Sequence, residues 1–225
     1  MKVSLLTCTG GRPEAFALCE KWMERQSLDW CEWIVVDDCD PLTETTMGQV
    51  RVEPMPKWSG EPTLGRNMLA GLERVTGDAV AFIEDDDWYD PGYLKTAVRL
   101  LERSPLVGEG LARYYNVRTR RWNNRCNAGH ACLAATLCRA DEIPRIVSVV
   151  NCLGKPCYDL SIWRAFDDCM LMLHPNNFVG IKGMPGRAGI AHGHTDGACN
   201  HPDPEMEKLR EWIGSDALLY EHFSN

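Results

Sequence analysis

Four consecutive acidic residues, Glu84 to Asp87, directly follow the apolar run Ala79–Ile83. Adjacent carboxylates repel one another, which raises their pKa values and destabilises the fold unless a cation compensates. Hard oxygen ligands of this kind suit Mg²⁺ or Mn²⁺. A solvated acidic loop in front of a helix, with Asp90 at its N-cap and Pro91 in its first turn, would explain the same residues. The run therefore leaves two interpretations open, a divalent-metal site and a solvated loop.

The elements around these acids predict an α/β fold with a mostly parallel sheet, because strand-like apolar runs alternate with helical patterns. In open α/β sheets ligands bind beyond the carboxyl ends of the strands, where the acids stand. We expect strands at Val3–Thr7, Trp33–Val36, Val50–Val52, Ala79–Ile83, Leu106–Val117, Ala131–Leu137, Met170–Leu173 and Phe178–Lys182. We expect helices at Pro13–Gln26, Thr63–Val75, from Asp90, and at Asp141–Val150, Asp159–Asp168 and Pro204–Trp212.

The composition is that of a globular protein, with 44% hydrophobic and 25% charged residues in 225. The apolar runs are too short to cross a bilayer, and the amino terminus lacks the apolar core of a signal peptide. Eleven cysteines, an odd number without a C-x-x-C motif, favour reduced thiols. We therefore expect a cytoplasmic protein without stable membrane insertion, and the sequence leaves its oligomeric state open.

The segment that begins at Gly65 resembles the signature of family 2 glycosyltransferases, which have the GT-A fold. Its parts come in the family's order: Arg66-Asn67, Gly77-Asp78, the strand Ala79–Ile83, the acids Glu84 to Asp87, and Pro91 followed by Leu94. The segments VSLLTCTGGRP and WIVVDD resemble the family's first strand with its nucleotide loop and its second strand. The resemblance covers residues 1–100, and it departs from the family at Glu84, where an Asp is usual.

This resemblance implies a single GT-A-like domain over residues 1–225. Its Rossmann-like half at 1–100 would bind a nucleotide-sugar, usually a UDP-sugar, and a smaller mixed half at 101–225 would bind a hydroxyl acceptor. A hexose would be transferred with inversion, and Mn²⁺ or Mg²⁺ would neutralise the departing diphosphate. The implied metal ligands are Glu84, Asp86 and Asp87. The implied donor contacts are Thr7, Thr9, Arg12, Asp37, Asp38, Arg66 and Asp85.

The resemblance also implies a general base, which inverting transfer needs to remove the proton of the acceptor hydroxyl. In the family this acid follows a Glu and stands four residues before a Trp. Asp159 has that spacing to Trp163, although Tyr158 replaces the Glu. The alternative is that Asp159 only caps a helix. The family often supplies a further metal ligand from a late glycine-rich loop, which here contains His192 and His194.

Two Cys/His groups offer a competing interpretation as structural zinc sites. The first consists of Cys126, His130, Cys132 and Cys138, and the second of His192, His194, Cys199 and His201. Neither has the paired spacing that is typical of structural zinc, so we favour small buried thiols for most of the cysteines.

The charge is strongly uneven along the chain. The net charge is −8, yet residues 110–140 contain six arginines and no Asp or Glu. Arginines interleaved with aromatic residues suit phosphate contacts and stacking. The candidate acceptor contacts are Arg113, Arg118, Arg120, Arg121, Trp122, Arg125 and His130. The acceptor would then be polyanionic, such as a phosphorylated or cell-surface glycan or a hydroxymethylated base in DNA, unless the arginines only balance the acidic remainder of the chain.

Two other functions fit parts of the sequence. A nucleotidyltransferase can combine an α/β nucleotide fold with acidic metal ligands, but Gly10-Gly11-Arg12 only weakly matches its phosphate loop. A non-catalytic nucleic-acid-binding module would use the arginine segment. The acidic net charge of the chain and the acidic residues at its strand ends argue against this second function.

Overall fold

A computed structural model describes residues 1–127, 129–152, 157–172, 177–187 and 199–223 of the chain. The strands are β1 Val3–Thr9, β2 Glu32–Asp37, β3 Val50–Val52, β4 Ala79–Phe82, β5 Trp88–Tyr89, β6 Leu106–Glu109, β7 Leu111–Asn116, β8 Arg121–Cys126, β9 Thr136–Arg139, β10 Met170–Met172, β11 Phe178–Lys182 and β12 His201–Pro202. The helices are α1 Pro13–Glu24, α2 Leu64–Leu72, α3 Tyr93–Leu101, α4 Ile143–Cys152, α5 Tyr158–Arg164 and α6 Glu207–Ile213. Short 3₁₀ helices lie at Leu133–Ala135, Ala140–Glu142 and Gly214–Phe223.

The larger sheet has seven strands in the order β10-β6-β9-β4-β1-β2-β3. Strands β4, β1, β2 and β3 are parallel to one another, and β10 is parallel to β6. Strand β9 is antiparallel to both β4 and β6. This arrangement confirms the expected α/β class with a mostly parallel sheet. The sheet also includes strands from beyond residue 100, because β6, β9 and β10 extend it past β4.

The smaller sheet is mixed, with the order β12-β8-β7-β11-β5. Strands β7 and β11 are parallel, whereas β8 pairs with β7 and with β12 in antiparallel fashion. Strand β5, which directly follows the acid run, pairs with β11 through Trp88 and Tyr89. The acid run therefore lies at the junction of the two sheets.

The core is formed by strands that are apolar on both faces and by one face of each covering helix. All four residues of β4 are buried, as expected for a parallel strand between two layers. Helix α1 begins at Pro13 in its first turn and buries Phe16, Trp22 and Met23. Strands β1, β2 and β4 run in the same direction, so their carboxyl ends meet at one edge of the sheet.

Several element boundaries differ from the expectations, and three of these differences change how the elements are built. The helix expected at Asp90 begins at Tyr93, because Asp90 accepts the backbone N–H of Gly92 (2.7 Å) and forms a turn before the helix. The expected strand Leu106–Val117 is two strands that belong to different sheets and are separated at Gly110. The expected strand Ala131–Leu137 begins as a 3₁₀ turn at Leu133–Ala135 and becomes a strand at Thr136.

In the described part of the chain, no helix combines the length and the apolar character that a membrane span requires. All eleven cysteines lie in the described part of the chain and are unpaired there, and their redox state stays a prediction.

Candidate active site

The acid run forms a compact cluster of carboxylates at the end of β4. Asp85, Asp86 and Asp87 are buried, and Glu84 is half-buried. Glu84, Asp86 and Asp87 each direct an oxygen into a group whose ligand atoms all lie within 4.8 Å of one another. These are three of the five residues predicted as metal ligands, and they can offer several oxygens to one cation.

Arg12 is the first of two basic residues that hold this cluster. Its Nη2 lies 2.5 Å from Oδ1 of Asp85, and its Nη1 lies 3.1 Å from Oδ2 of Asp86. The hydroxyl of Thr9 donates to the other oxygen of Asp85 at 2.6 Å. Arg12 and Thr9 thus neutralise and orient Asp85. These contacts distinguish Asp85 from the three candidate metal ligands.

Lys182 is the second basic residue, and the sequence analysis did not identify it. Its Nζ lies 3.1 Å from Oδ1 of Asp87 and 3.9 Å from Oδ2 of Asp86. The side chain is buried at the end of β11, where the backbone N–H of Ile181 also donates to Oδ1 of Asp87 (2.8 Å). A lysine at the end of an apolar strand was the available signal, because buried lysines almost always have an acidic partner.

Burial dominates the ionisation of the cluster. It raises the pKa of Glu84 to about 7 and that of Asp85 to about 6, while Lys182 and Arg12 oppose these shifts. The pKa of Asp87 also lies well above its usual value, because burial outweighs the attraction of Lys182. Oδ2 of Asp87 is buried and accepts no hydrogen bond from the described residues. An added cation would favour the ionised carboxylates and so oppose the effect of burial.

A second buried carboxylate, Asp38, lies at the end of β2 on the same edge of the sheet. Its Oδ2 is 3.1 Å from Nη2 of Arg66, and its Oδ1 is 2.7 Å from Nη1 of Arg187. Hydrogen bonds from Thr63, Asn67 and Arg187 outweigh the effect of burial and hold the pKa of Asp38 below its usual value. Asp38 is thus an ionised carboxylate between two arginines.

Arg187, also absent from the sequence predictions, connects several loops around Asp38. Its guanidinium lies 4.3 Å from the ring centroid of Trp58, and its Nη2 donates to the hydroxyl of Thr63 at 2.8 Å. Its backbone N–H donates to the carbonyl of Gly11 (3.1 Å), in the loop that follows β1. The signal in the sequence was weak, since Arg187 lies in a glycine-rich loop without a recognisable motif.

Two residues that were predicted to contact the nucleotide-sugar donor, Asp37 and Thr7, form hydrogen bonds within the protein instead. Asp37 accepts the backbone N–H groups of Cys39 (2.9 Å) and Thr43 (2.7 Å) and so shapes the loop after β2. The hydroxyl of Thr7 accepts the indole N–H of Trp33 within the core (2.9 Å). Their roles as donor contacts stay predictions, whereas Thr9, Arg12, Asp38, Arg66 and Asp85 lie along one edge of the sheet.

Asp159 is the second residue of α5 and is half-buried. Its Oδ1 accepts the backbone N–H of Leu160 (2.8 Å), which orients the carboxylate at the helix start. The preceding Tyr158 packs directly on α2, since a Cβ at Gly65 would lie 2.3 Å from its hydroxyl oxygen. The helix that carries Asp159 therefore contacts the helix that carries Arg66 through the side chain of Tyr158. His192 and His194 lie outside the described residues.

Three arginines of the basic segment bind backbone carbonyls. Arg113 is buried and donates to Phe178 (2.9 Å), Arg120 donates to Pro204 (2.6 Å), and Arg121 donates to Cys199 (3.0 Å) and Asn200 (2.6 Å). These contacts tie the basic segment to other parts of the fold through neutral carbonyl groups. Arg118 and Arg125 are exposed, and His130 is half-buried.

Trp122 belongs to an aromatic cluster on the smaller sheet. It stacks on His201 with a centroid distance of 4.4 Å and meets Trp212 edge-on at 5.7 Å. The ammonium of Lys208 lies 5.1 Å from its ring centroid. The Cys/His group around Cys126 is not among the potential metal-ligand groups of the described residues, so the structure does not support a zinc site there.

Comparison with known proteins identifies the family. A sequence profile of glycosyl transferase family 2 matches residues 18–148, more than half of the chain. The chain belongs to this family. A search of curated proteins found no match.

The fold of this family 2 member is similar to that of solved glycosyltransferase structures. Residues 1–349 of S. aureus TarS in complex with UDP superpose with a TM-score of 0.59 and 16% identity, covering 80% of this chain and 60% of that chain. The same TarS fragment with UDP-GlcNAc gives a TM-score of 0.56 and 16% identity, covering 87% of this chain and 61% of that one. These similarities confirm the GT-A fold. The chain spans about 60% of the length of these TarS fragments.

Proposed function

We propose that the protein is a metal-dependent, inverting glycosyltransferase that moves a hexose from a UDP-sugar to a hydroxyl acceptor. The observation that carries this proposal is the cluster of Glu84, Asp86 and Asp87. Its oxygens converge at the carboxyl end of β4. Family membership and the similarity to TarS structures that contain UDP and UDP-GlcNAc support the choice of donor.

The cluster suits a divalent cation in number, type and charge of ligands. Its four carboxylates, when ionised, exceed the charges of Arg12 and Lys182 by two. The buried Oδ2 of Asp87 lacks a hydrogen-bond donor among the described residues. Mg²⁺ or Mn²⁺ held by Glu84, Asp86 and Asp87 would neutralise charge on the diphosphate leaving group. We therefore assign these three residues to the metal and Asp85 to the support of Arg12.

The nucleoside end of the donor fits the neighbouring site at Asp38. An ionised carboxylate accepts hydrogen bonds from a base or a ribose hydroxyl, and Thr63, Asn67 and Arg187 hold the pKa of Asp38 below its usual value. The guanidinium of Arg187 lies over the ring of Trp58 beside it, and both groups suit contact with a flat ring system. In this arrangement the base lies near the end of β2 and the diphosphate near the end of β4.

Asp159 would complete the chemistry as general base. In a single displacement the acceptor oxygen forms a bond to the anomeric carbon while the bond from that carbon to the diphosphate oxygen breaks. The hydroxyl proton passes to the carboxylate of Asp159, and the nucleoside diphosphate leaves. The packing of Tyr158 on Gly65, which precedes Arg66 on α2, supports this role for Asp159.

We propose a polyanionic acceptor on the basis of the basic segment. Arg118 and Arg125 are exposed, and the carbonyl-bound Arg120 and Arg121 still contribute positive charge. A phosphorylated glycan or DNA with a hydroxymethylated base has the matching charge and a reactive hydroxyl.

The proposal is tested by incubating the protein with UDP-, GDP- and dTDP-sugars in Mn²⁺. Glycosyltransferases hydrolyse their donor slowly when the acceptor is absent, so one sugar nucleotide should release its diphosphate. An Asp159→Asn variant provides the matched control, because it should bind the same donor but turn it over more slowly. Failure to bind or turn over any nucleotide-sugar would contradict the proposed function.

A further inference from the structure

Lys182 is buried among acids that we assign to a metal. Only 3% of the residue is exposed, and its Nζ lies 3.1 Å from Asp87 and 3.9 Å from Asp86. The long stem of the side chain passes the ring of Tyr114, whose centroid lies 5.9 Å from Nζ. An ammonium so far from solvent is retained only if the surrounding carboxylates compensate the loss of hydration.

Arg12 and Lys182 each neutralise a part of the carboxylate cluster. Arg12 contacts Asp85 and Asp86, whereas Lys182 contacts Asp87 and approaches Asp86 from the second sheet. Asp86 therefore lies between two fixed cations. If Lys182 were neutral, the ionised cluster would have three uncompensated negative charges in place of two.

We propose that Lys182 is a positioning residue that acts as a built-in partial substitute for the metal ion. Its ammonium holds Asp86 and Asp87 in their buried arrangement before metal binds, so that the protein folds without metal and then takes up a single divalent cation. This inference rests on the metal site of the proposed function. It adds that Lys182 weakens metal binding in exchange for a stable metal-free fold.

The test compares metal-free stability and Mn²⁺ binding in three variants. Lys182→Met keeps most of the side-chain volume and removes the charge. Lys182→Met/Asp87→Asn removes one charge of each sign, and Asn can still accept the N–H of Ile181. Lys95→Met, at an exposed lysine of α3, is the matched control for the loss of a lysine. Melting temperatures are measured in EDTA and with added Mn²⁺, and calorimetry gives the Mn²⁺ affinity.

We expect Lys182→Met to melt roughly 10 °C lower than the wild type in EDTA, because an unpaired buried carboxylate is strongly destabilising. Mn²⁺ should recover most of this loss and should bind the variant about tenfold or more tightly than the wild type. The double variant should regain much of the metal-free stability, since its net charge matches that of the wild type. Lys95→Met should behave as the wild type.

Three results would overturn the inference. Equal Mn²⁺ shifts in Lys182→Met and the wild type would show that Lys182 does not affect the metal. Loss of Mn²⁺ binding in Lys182→Met would show that the lysine is needed for the site. A double variant as unstable as the single variant would assign the effect to lost packing instead of charge. Absence of any Mn²⁺ response in all variants, combined with normal donor turnover in EDTA, would refute the metal site while leaving glycosyl transfer intact.

Discussion

At the scale of single residues, the acid run is held by partners that are distant in the chain. Asp85 depends on Arg12 and Thr9, whereas Asp87 depends on Lys182 and the backbone of Ile181. Neighbouring aspartates of the run thus have different partners, and we expect them to have different roles. Substitutions in the run should therefore have different effects.

Asp86→Asn should lower the rate of sugar transfer by about 10²–10³-fold, because the amide keeps the shape but removes the charge that holds the cation. The variant should also lose the increase in melting temperature that Mn²⁺ gives the wild type. Asp167→Asn, at an exposed acid, is the control. Unchanged transfer in excess EDTA would contradict a metal-dependent mechanism.

Asp159→Asn should lower kcat by roughly 10²–10⁴-fold, because the amide cannot accept the acceptor proton. The donor dissociation constant should stay within about twofold of the wild-type value, since the carboxylate takes no part in donor binding. Asp141→Asn removes an exposed acid before α4 and should leave both quantities unchanged. A normal kcat for Asp159→Asn would mean that Asp159 only caps α5.

Glu109 should make stability depend on pH. It is buried at the end of β6, and burial raises its pKa to about 8, against the opposing effect of Arg113. The folded state therefore keeps its proton at pH values where the unfolded chain has lost it, so stability falls as pH rises from about 5 to 8. Glu109→Gln should raise the melting temperature at pH 9 and flatten this dependence. Glu102→Gln, on the exposed surface, should change neither.

At the scale of elements, the contact between α2 and α5 connects the donor site with the proposed base. Helix α2 carries Arg66, and α5 carries Asp159. Gly65 allows the two helices to approach, because its missing side chain leaves room for the ring of Tyr158. The contact between Tyr158 and α2 thus depends on one glycine.

Gly65→Ala should displace α5, since the added methyl would meet the Tyr158 hydroxyl at 2.3 Å. We expect kcat to fall by about 10-fold to 10²-fold, with a much smaller change in the affinity for UDP. Gly129→Ala is the control, because a Cβ there meets nothing within 4 Å. Equal kcat values for the two variants would show that this contact does not position the base.

In the molecule as a whole, the two sheets differ in the charge of their surfaces and in the role that we propose for each. The large sheet gathers acids at its carboxyl edge, and the small sheet carries the basic segment on β7 and β8. Two of these arginines, Arg120 and Arg121, hold the segment 199–204 through its carbonyls. The basic segment therefore stabilises the fold and also gives this surface a positive charge.

Arg118→Ala/Arg125→Ala should weaken binding of a polyanionic acceptor and flatten its salt dependence by up to about 2 units of the logarithmic slope. These two arginines are exposed, so their loss spares the carbonyl contacts of Arg120 and Arg121. Arg99→Ala/Arg103→Ala removes two exposed arginines near the end of α3 as control. Binding is measured over a salt series with duplex DNA, a phosphorylated glycan and a neutral oligosaccharide. An unchanged slope for the acceptor that is modified would leave the segment a purely structural role.

The sequence by itself determined the elements around the acid run. The apolar run Ala79–Ile83 predicts a strand buried on both faces, and the parallel strands β1, β2 and β4 must end at one edge. The order of these local patterns was enough to identify the α/β class and the GT-A family. Boundaries were less certain where a side chain competed for the backbone, as at Asp90.

Only the tertiary structure decided which residues meet. Lys182 lies 95 residues after Asp87, and Arg187 lies 149 residues after Asp38, so no local pattern could pair them. Likewise, β9 enters the sheet between β4 and β6, although it follows both in the chain. Local propensity depends on neighbours along the chain, whereas a buried charge is stabilised by whichever opposite charge the packed fold brings within a few ångströms.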